Sequence, residues 1–218
     1  MKNNELFLTQ NSIAIDLINK YEYPYEVLPH IKDYILNIGE NLSDDYILVA
    51  ENAWAHKTAK IAATASITGP AIIDGGAEIR QCAFIRGGVI VGKNSVLGNS
   101  CEMKNAILFD NVQVPHFNYV GDSILGYKSH MGAGSITSNV KSDKTNVVIK
   151  GLNSNIETNL KKVGAFLGDY VEVGCNSVLN PGTIVGPNTS IYPLTSVRGV
   201  IPPNSIVKTM ESIVEKRS

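Results

Sequence analysis

Most of the chain carries an aliphatic or other large apolar residue at every sixth position. The first series runs without omission through Ile61, Ile67, Ile73, Ile79, Ile85, Val91, Leu97, Met103 and Phe109. Turn-forming residues often follow, as in Val91-Gly-Lys-Asn94. A spacing of six fits neither the 3.6-residue period of a helix nor the two-residue alternation of a simple strand. It predicts short strands and turns stacked coil upon coil, which is a parallel β-helix.

Small residues recur four positions after the apolar ones, where the predicted coil would turn. They are Ala65, Ala71, Ala77, Ala83, Ser95 and Cys101. Three six-residue units would make one triangular coil, and its apolar side chains would fill a narrow core. The sequence therefore predicts a mainly β fold with one inward-facing residue in each unit.

The repeat is interrupted twice. After Phe109 and Pro115 the next regular positions are four residues out of phase, so residues 110–120 are predicted to leave the coil as a loop. A polar insertion follows at 141–166, and the alternation within 146–149 and 156–158 predicts a projecting hairpin there. Regular positions then return at Leu167, Val173, Leu179, Val185, Ile191 and Val197.

The two ends of the chain differ from the repeat. Residues 1–50 predict an N-terminal helical segment, with short helices over 11–20 and 29–38. Residues 51–200 are the predicted β-helix, and 201–218 are predicted to form a short polar helix or tail. Because a solenoid needs its ends covered, we expect the helical segment to be a cap. The alternative is that it forms a separate binding module.

Charge and composition exclude several classes of function. The 218 residues include 19 Lys and Arg and 20 Asp and Glu, and no block of like charge favours nucleic acid as a partner. The three cysteines are isolated, so neither a disulfide framework nor a structural zinc site is predicted. No apolar run reaches the length of a membrane span and none follows a basic start, so we expect no membrane and a cytoplasmic protein.

One histidine stands where the repeat loses its phase. His116 lies between Pro115 and Phe117, and histidine suits general-base chemistry because its ordinary pKa is about 6.5. The competing interpretation is a histidine packed on the coil wall by its neighbours. Glu102 and Asp122 flank the region and would be able to orient His116 or hold the loop closed. These residues by themselves leave both interpretations open.

Several motifs around this histidine resemble one known family. They are Arg86-Gly-Gly88, Glu102-Met-Lys-Asn105, His116–Asp122, Gly126 and Met131–Asn139, with a weaker match through Leu167–Val200. Together they resemble the acetyltransferase half of the bifunctional N-acetylglucosamine-1-phosphate uridyltransferase. The resemblance implies a left-handed parallel β-helix that forms a homotrimer with active sites between subunits. It implies transfer of acetyl from acetyl-CoA to an amino-sugar 1-phosphate, such as glucosamine 1-phosphate.

The resemblance also implies roles for individual residues. His116 would be the general base, and the sugar phosphate would be bound by Arg86, Lys104, Tyr119, Asn139 and Lys144. Ala133 would offer its backbone N–H to the thioester oxygen. Cys175 and Pro193 stand where the family has a serine and an alanine along the acetyl-CoA groove.

The chain departs from the family in three respects. No glycine-rich phosphate loop opens it, so uridylyl transfer and its magnesium are expected to be absent, and no metal is expected. The insertion near 145–165 is longer than in the familiar bacterial enzyme and resembles archaeal and clostridial relatives. Lys144 matches only after a one-residue deletion. Two other functions stay open: acyl transfer to a nucleotide-linked amino sugar, and a catalytically silent trimeric scaffold.

Overall fold

The helices of the described chain lie in its first 40 residues. The computed structural model describes residues 1–152 and 154–216. The helices are α1 (Asn3–Leu6), α2 (Ile15–Ile18), α3 (Pro24–Val27) and α4 (Ile31–Gly39), with a 3-10 turn at Leu28–His30. None of the described helices is long and apolar enough to cross a membrane.

The remaining described chain contains 25 short strands. In order they are β1 (Tyr46–Ala50), β2 (Ala53–His56), β3 (Lys60–Ile61), β4 (Ser66–Thr68), β5 (Ala71–Ile73), β6 (Glu78–Ile79), β7 (Phe84–Arg86), β8 (Val89–Val91), β9 (Val96–Asn99), β10 (Glu102–Leu108), β11 (Gln113–His116), β12 (Tyr119–Leu125), β13 (His130–Met131), β14 (Ile136–Thr137), β15 (Val148–Lys150), β16 (Asn155–Glu157), β17 (Ala165–Leu167), β18 (Glu172–Val173), β19 (Val178–Leu179), β20 (Thr183–Val185), β21 (Ser190–Ile191), β22 (Ser196–Val197), β23 (Val200–Ile201), β24 (Ser205–Thr209) and β25 (Ser212–Glu215).

Nearly all of these strands pair in parallel with the strand one coil away, which confirms the predicted parallel β-helix. Face 1 contains β4, β7, the first half of β10, the first half of β12, β14, β19 and β22. Face 2 contains β2, β5, β8, the second halves of β10 and β12, β17, β20 and β23. Face 3 contains β3, β6, β9, β11, β13, β18, β21 and β24. Strands β10 and β12 thus run through a corner and serve two faces each.

Strand pairing stacks side chains of similar type into columns along the interior. Ile73 pairs with Val91, Val91 with Leu108, and Leu108 with Leu125, and all four are fully buried. Burying one such side chain completely is worth roughly 1.5–3 kcal/mol. The six-residue spacing therefore exists because each inward residue must lie over its counterpart in the neighbouring coil.

The phase change near residue 110 has a different cause from the predicted loop, and that prediction was wrong. Residues 113–116 form β11, which stays in face 3 between β9 and β13. The inward residues there are Leu108 and Val114 rather than Phe109 and Pro115. From Met103 to Leu108 the inward step is five residues, because the corner is one residue shorter, and the next coil repeats this in β12.

Asn105 and Asp122 form these two short corners. Both have positive φ, 47° in each case, a region that Asn and Asp enter more easily than other residues with a side chain. Asn105 lies opposite the Gly87-Gly88 corner of the preceding coil, where two residues make the turn, and Asp122 lies opposite Asn105. The two shortened corners together account for the change of phase.

The helical segment lies along face 2, so the prediction of an end cap was wrong. The middle side chains of the face 2 strands, Ile72, Ile90 and Ile107, point away from the coil interior and yet are fully buried. Helix α4 packs against these strands, because a row of outward aliphatic side chains needs cover. Phe109 is buried for the same reason, with its ring centroid 4.7 Å from that of Phe7.

The second interruption comprises residues 140–162, which we call the excursion. It begins after Asn139 and ends before Val163, whose N–H donates to the Asn139 carbonyl oxygen over 3.0 Å. Strands β15 and β16 form the predicted hairpin. It does not project: Val147 is fully buried, and a Cβ placed on Gly182 would lie 3.0 Å from its side chain. The apolar face of the hairpin therefore packs against a later coil.

Residues after 200 form strands rather than the predicted polar helix or tail. Ile201 and Val207 are again six residues apart, and both are buried as inward residues. Strand β24 pairs in parallel with β21, and β25 then runs antiparallel to β24. Strand β1 is likewise antiparallel to β2. An antiparallel strand therefore pairs with the first strand of face 2 and another with the last strand of face 3.

Candidate active site

Four of the predicted substrate residues meet where face 1 turns into face 2. Arg86 ends β7, and Lys104 lies beside it one coil later because Met103 pairs with Ile85. Tyr119 begins β12 in the following coil. Asn139 follows β14 at the corner itself. All four side chains are partly or largely accessible to solvent.

Arg86 is not an isolated cation. Its guanidinium donates a short hydrogen bond to the Glu102 carboxylate, which holds the pKa of Arg86 above its ordinary value. Glu102 therefore contacts Arg86, and in the described part of the chain it makes no hydrogen bond to His116. An arginine fixed in this way presents its remaining N–H groups in a defined direction.

The Asp122 carboxylate lies at the centre of a hydrogen-bond network at this corner. It is only 6% exposed and accepts hydrogen bonds from the side-chain amides of Asn105 and Asn139, over 2.9 and 2.6 Å. The Asn139 amide also donates to the Tyr119 hydroxyl over 3.2 Å. The amide oxygen of Asn139 is thus left to accept from a ligand. Within the described residues Asp122 makes no hydrogen bond to His116.

Burial shifts the pKa of two groups in this region. It raises the pKa of Tyr119, so the phenol stays protonated near neutral pH. It lowers the pKa of Lys104, and the nearby charge of Lys162 lowers it further. Arg86 and Lys32 act on Lys104 in the same direction, whereas Asp122 opposes them.

Lys162 and Lys32 were not predicted from the sequence. Lys162 is the last residue of the excursion and Lys32 belongs to α4, so neither lies in the repeat that revealed the other residues. Lys144, which was predicted, lies in an exposed turn where its N–H donates to the Lys141 carbonyl oxygen. The cations with the largest effect on the pKa of Lys104 are Lys162, Arg86 and Lys32.

His116 lies at the neighbouring corner, where face 3 turns into face 1, and its side chain is exposed. The corner is held by Asn118, which is 3% exposed. The Asn118 side chain accepts from the His116 N–H over 3.0 Å and donates to the Gly132 and Ser135 carbonyl oxygens. This buried amide fixes the backbone on which the imidazole stands.

The predicted cofactor residues continue along this corner, coil after coil. The Gly134 N–H donates to the His116 carbonyl oxygen, the Asn176 N–H to that of Ala133, and the Leu194 N–H to that of Cys175. We call this row of corners, at residues 116–118, 132–135, 174–177 and 192–195, the site edge. Within the described chain the Ala133 N–H has no hydrogen-bond acceptor. An extended thioester chain laid along the edge would meet that free donor beside His116.

The described residues contain no group of three or more His, Cys, Asp or Glu arranged to hold a metal ion. The groups that this region presents are an imidazole, a backbone N–H, an amide–carboxylate network and several cations.

The stacked parallel strands and the six-residue repeat define a hexapeptide-repeat β-helix protein. Residues 67–191 match the family model described as the GMPPB C-terminal domain. This match takes in more than half of the 218 residues, and the chain belongs to that family.

Relatives of known name agree with the resemblance drawn from the motifs. "Bifunctional protein GlmU" of Methanococcus maripaludis is 32% identical over 184 residues, which are 74% of this chain and 44% of the relative. The "bifunctional sugar-1-phosphate nucleotidylyltransferase/acetyltransferase" of Sulfurisphaera tokodaii is 29% identical over 223 residues, which are 88% of this chain and 55% of the relative. The chain thus spans about half the length of these relatives.

Among solved structures, the acetyltransferase domain of PglB from Neisseria gonorrhoeae FA1090 is similar to 75% of this chain, and the match covers 57% of that domain's chain. The TM-score is 0.34 and the sequence identity 13%, values too low to carry any residue role across.

Proposed function

We propose that this chain is an N-acetyltransferase that moves the acetyl group of acetyl-CoA to the amine of an amino-sugar 1-phosphate. The acceptor is glucosamine 1-phosphate or a close relative. The observation that carries the proposal is the adjacency of two features. A cationic corner with a buried amide–carboxylate network lies one corner away from an edge that carries an exposed imidazole and a free backbone N–H. The name of the Sulfurisphaera tokodaii relative, which includes acetyltransferase, supports it.

In this proposal His116 takes one proton from the substrate ammonium group, which frees the nitrogen lone pair to attack the thioester carbonyl carbon. A C–N bond forms, the C–S bond breaks, and the sulfur of CoA leaves with its electron pair and takes up the second proton that the nitrogen loses. The Ala133 N–H donates to the carbonyl oxygen, where negative charge develops. The imidazole and this N–H lie in successive coils because the His116 carbonyl oxygen accepts from Gly134.

The phosphate is bound by Arg86 and Lys104, since arginine gives paired hydrogen bonds and lysine a point charge. The Tyr119 hydroxyl and the free amide oxygen of Asn139 bind the sugar. Lys144 is an outer cation in this scheme. Cys175, which is exposed on the site edge, lines the groove for acetyl-CoA.

We also propose that the protein is a homotrimer with active sites between subunits. The site edge exposes two apolar side chains, Phe117 at 64% and Leu194 at 79%. A second molecule that covers these two side chains would remove apolar surface from water. A neighbouring subunit on this edge would enclose the His116 region and exclude water from it.

The test is release of thiol from acetyl-CoA with glucosamine 1-phosphate, galactosamine 1-phosphate or free glucosamine as acceptor. The variant His116→Ala is expected to lose about two orders of magnitude or more in turnover, the usual size of a general-base contribution. The control is His56→Ala, which removes a histidine from β2 in the first coil and should leave turnover unchanged. Equal turnover in His116→Ala and wild type would remove the base role. The absence of release with all three acceptors would reject the acetyltransferase itself.

A further inference from the structure

The last residue of the excursion is held at the corner that contains Asp122 and Asn139. The backbone after Lys162 makes two hydrogen bonds there. The Val163 N–H donates to the Asn139 carbonyl oxygen over 3.0 Å, and the Gly164 N–H donates to that of Asp122 over 2.7 Å. Lys162 therefore lies next to the hydrogen-bond network of Asp122 and Asn139, although it is 23 residues from Asn139 in sequence.

The excursion fixes this position by packing. Val147 and Val163 are fully buried, and the Thr158 hydroxyl donates to the Val147 carbonyl oxygen over 2.6 Å. The Val147 N–H in turn donates to the carbonyl oxygen of Leu160. An ammonium group carried by such an anchored segment has a defined approach to the corner.

The helical segment brings another cation to the same corner. The Asn105 side-chain amide donates to the Leu28 carbonyl oxygen over 3.3 Å. A Cβ placed on Gly88 would lie 3.1 Å from Cγ of Lys32 and 3.1 Å from Oδ1 of Asn105. The Lys32 side chain therefore lies close to the corner where the Asn105 amide donates to the Asp122 carboxylate.

The charges at the corner do not cancel. Arg86, Lys104, Lys162 and Lys32 supply four positive charges, and Glu102 and Asp122 supply two negative ones. The remaining charge of +2 matches a phosphate monoester, which carries about −1.5 to −2 at neutral pH. The four cations lie near one corner and come from four different elements, namely β7, β10, the excursion and α4.

We propose that Lys162 and Lys32 bind the substrate phosphate together with Arg86 and Lys104, so that the excursion and the helical segment are parts of the substrate site. The sugar identity rests on the function proposed above, whereas the anion site rests on this geometry. Burial, and then the charge of Lys162, lower the pKa of Lys104, which agrees with several cations lying close together at this corner.

The decisive experiment is calorimetric titration with glucose 1-phosphate, which carries the phosphate and lacks the reacting amine. We expect Lys162→Ala to bind it about tenfold more weakly than wild type, the value of one charge-assisted hydrogen bond. Lys32→Ala is expected to lose affinity in the same direction. The matched control is Lys161→Ala, which removes the adjacent exposed lysine of the excursion and should change affinity by less than about twofold.

Equal affinities in the Lys162→Ala and Lys161→Ala variants would overturn the proposal, and so would a wild-type protein that does not bind glucose 1-phosphate. UDP-glucose serves as a second probe, because each of its phosphates carries an ester and an anhydride bond and neither is a monoester. A larger loss in Lys162→Ala for UDP-glucose than for glucose 1-phosphate would overturn the assignment to a phosphate monoester.

Acetyl-transfer kinetics separate this inference from the proposed function. In Lys162→Ala, KM for glucosamine 1-phosphate should rise about tenfold with kcat unchanged, whereas KM for free glucosamine should stay constant. If wild type releases no thiol and yet Lys162→Ala weakens glucose 1-phosphate binding, the proposed function fails and the anion site stands. If wild type acetylates the sugar phosphate and Lys162→Ala leaves KM unchanged, the inference fails and the function stands.

Discussion

Replacing Asp122 by asparagine tests the network at the corner with the smallest change of shape. The backbone should be unaffected, because asparagine tolerates the positive φ of 47° at this position. The carboxylate oxygens accept from two side-chain amides, those of Asn105 and Asn139. After the substitution, one of these donors faces a new NH2 group and loses its acceptor.

The magnitude follows from what happens to that donor. If both amides keep their orientation, the protein loses one hydrogen bond to a charged group, worth about 1.5–3 kcal/mol. If the Asn139 amide rotates to accept from the new NH2, the stability loss is smaller, but the group offered to the substrate changes from an acceptor to a donor. If the Asn139 amide rotates, we therefore expect kcat/KM for acetyl transfer to fall about tenfold, since one lost hydrogen bond to the substrate is worth about that factor. If both amides keep their orientation, we expect the loss in stability with kcat/KM nearly unchanged.

The assay is urea unfolding for stability, with thiol release for kcat and KM. The control is Asp169→Asn, the same substitution at a fully buried carboxylate that accepts from the Thr9 and Tyr127 N–H groups away from the site. It should lose a similar amount of stability and keep kcat/KM within about twofold, because it touches no substrate residue. An Asp122→Asn protein with both stability and kcat/KM unchanged would refute the network described here.

Two further predictions concern the last coil and the cationic corner. Val207→Ala should lower the free energy of unfolding by about 2 kcal/mol, the cost of two buried methyl-sized groups and their cavity, whereas a residue in a terminal tail would tolerate the change. Chemical denaturation measures the difference, and Val214→Ala, at an exposed position, is the control. Because the pKa of Lys104 is lowered, glucose 1-phosphate affinity should begin to fall at a lower pH than an ordinary lysine allows, and in Lys162→Ala that fall should move to higher pH, since a neighbouring cation is gone. Titrations across alkaline pH, with Lys161→Ala as reference, would contradict this if the Lys162→Ala profile stayed in place or moved to lower pH.

The sequence predicts the β-helix well because its geometry repeats at every coil. Ile73, Val91 and Leu125 must each lie over an inward neighbour, so the spacing of their apolar residues is visible without any structure. The same signal fails at Phe109, which is apolar and buried, but outside the coil against Phe7. An apolar residue in the sequence indicates burial, but it does not show whether the side chain is buried inside the coil or outside it. Because Phe109 continues the six-residue spacing from Met103, the shorter corner at Asn105 could not be seen in the sequence.

The residues of the candidate site divide in the same way. Arg86, Lys104 and Tyr119 lie in successive coils, so their sequence spacing reflects their neighbourhood and a motif can represent it. Lys32 and Lys162 reach the same corner from a helix and from the excursion. No local pattern relates these two lysines to the repeat, because both belong to segments that lack the six-residue spacing. Only the folded chain brings them together.

The position of the helical segment affects how the whole molecule unfolds. In a repeat protein, stability is roughly a sum over neighbouring repeats, so coils can open one after another from an end. Here one segment is anchored at the Trp54 ring of the first coil and at Asp169 several coils later. Opening any coil between these anchors requires release of the segment, so this stretch should exchange its amide protons as a single cooperative unit.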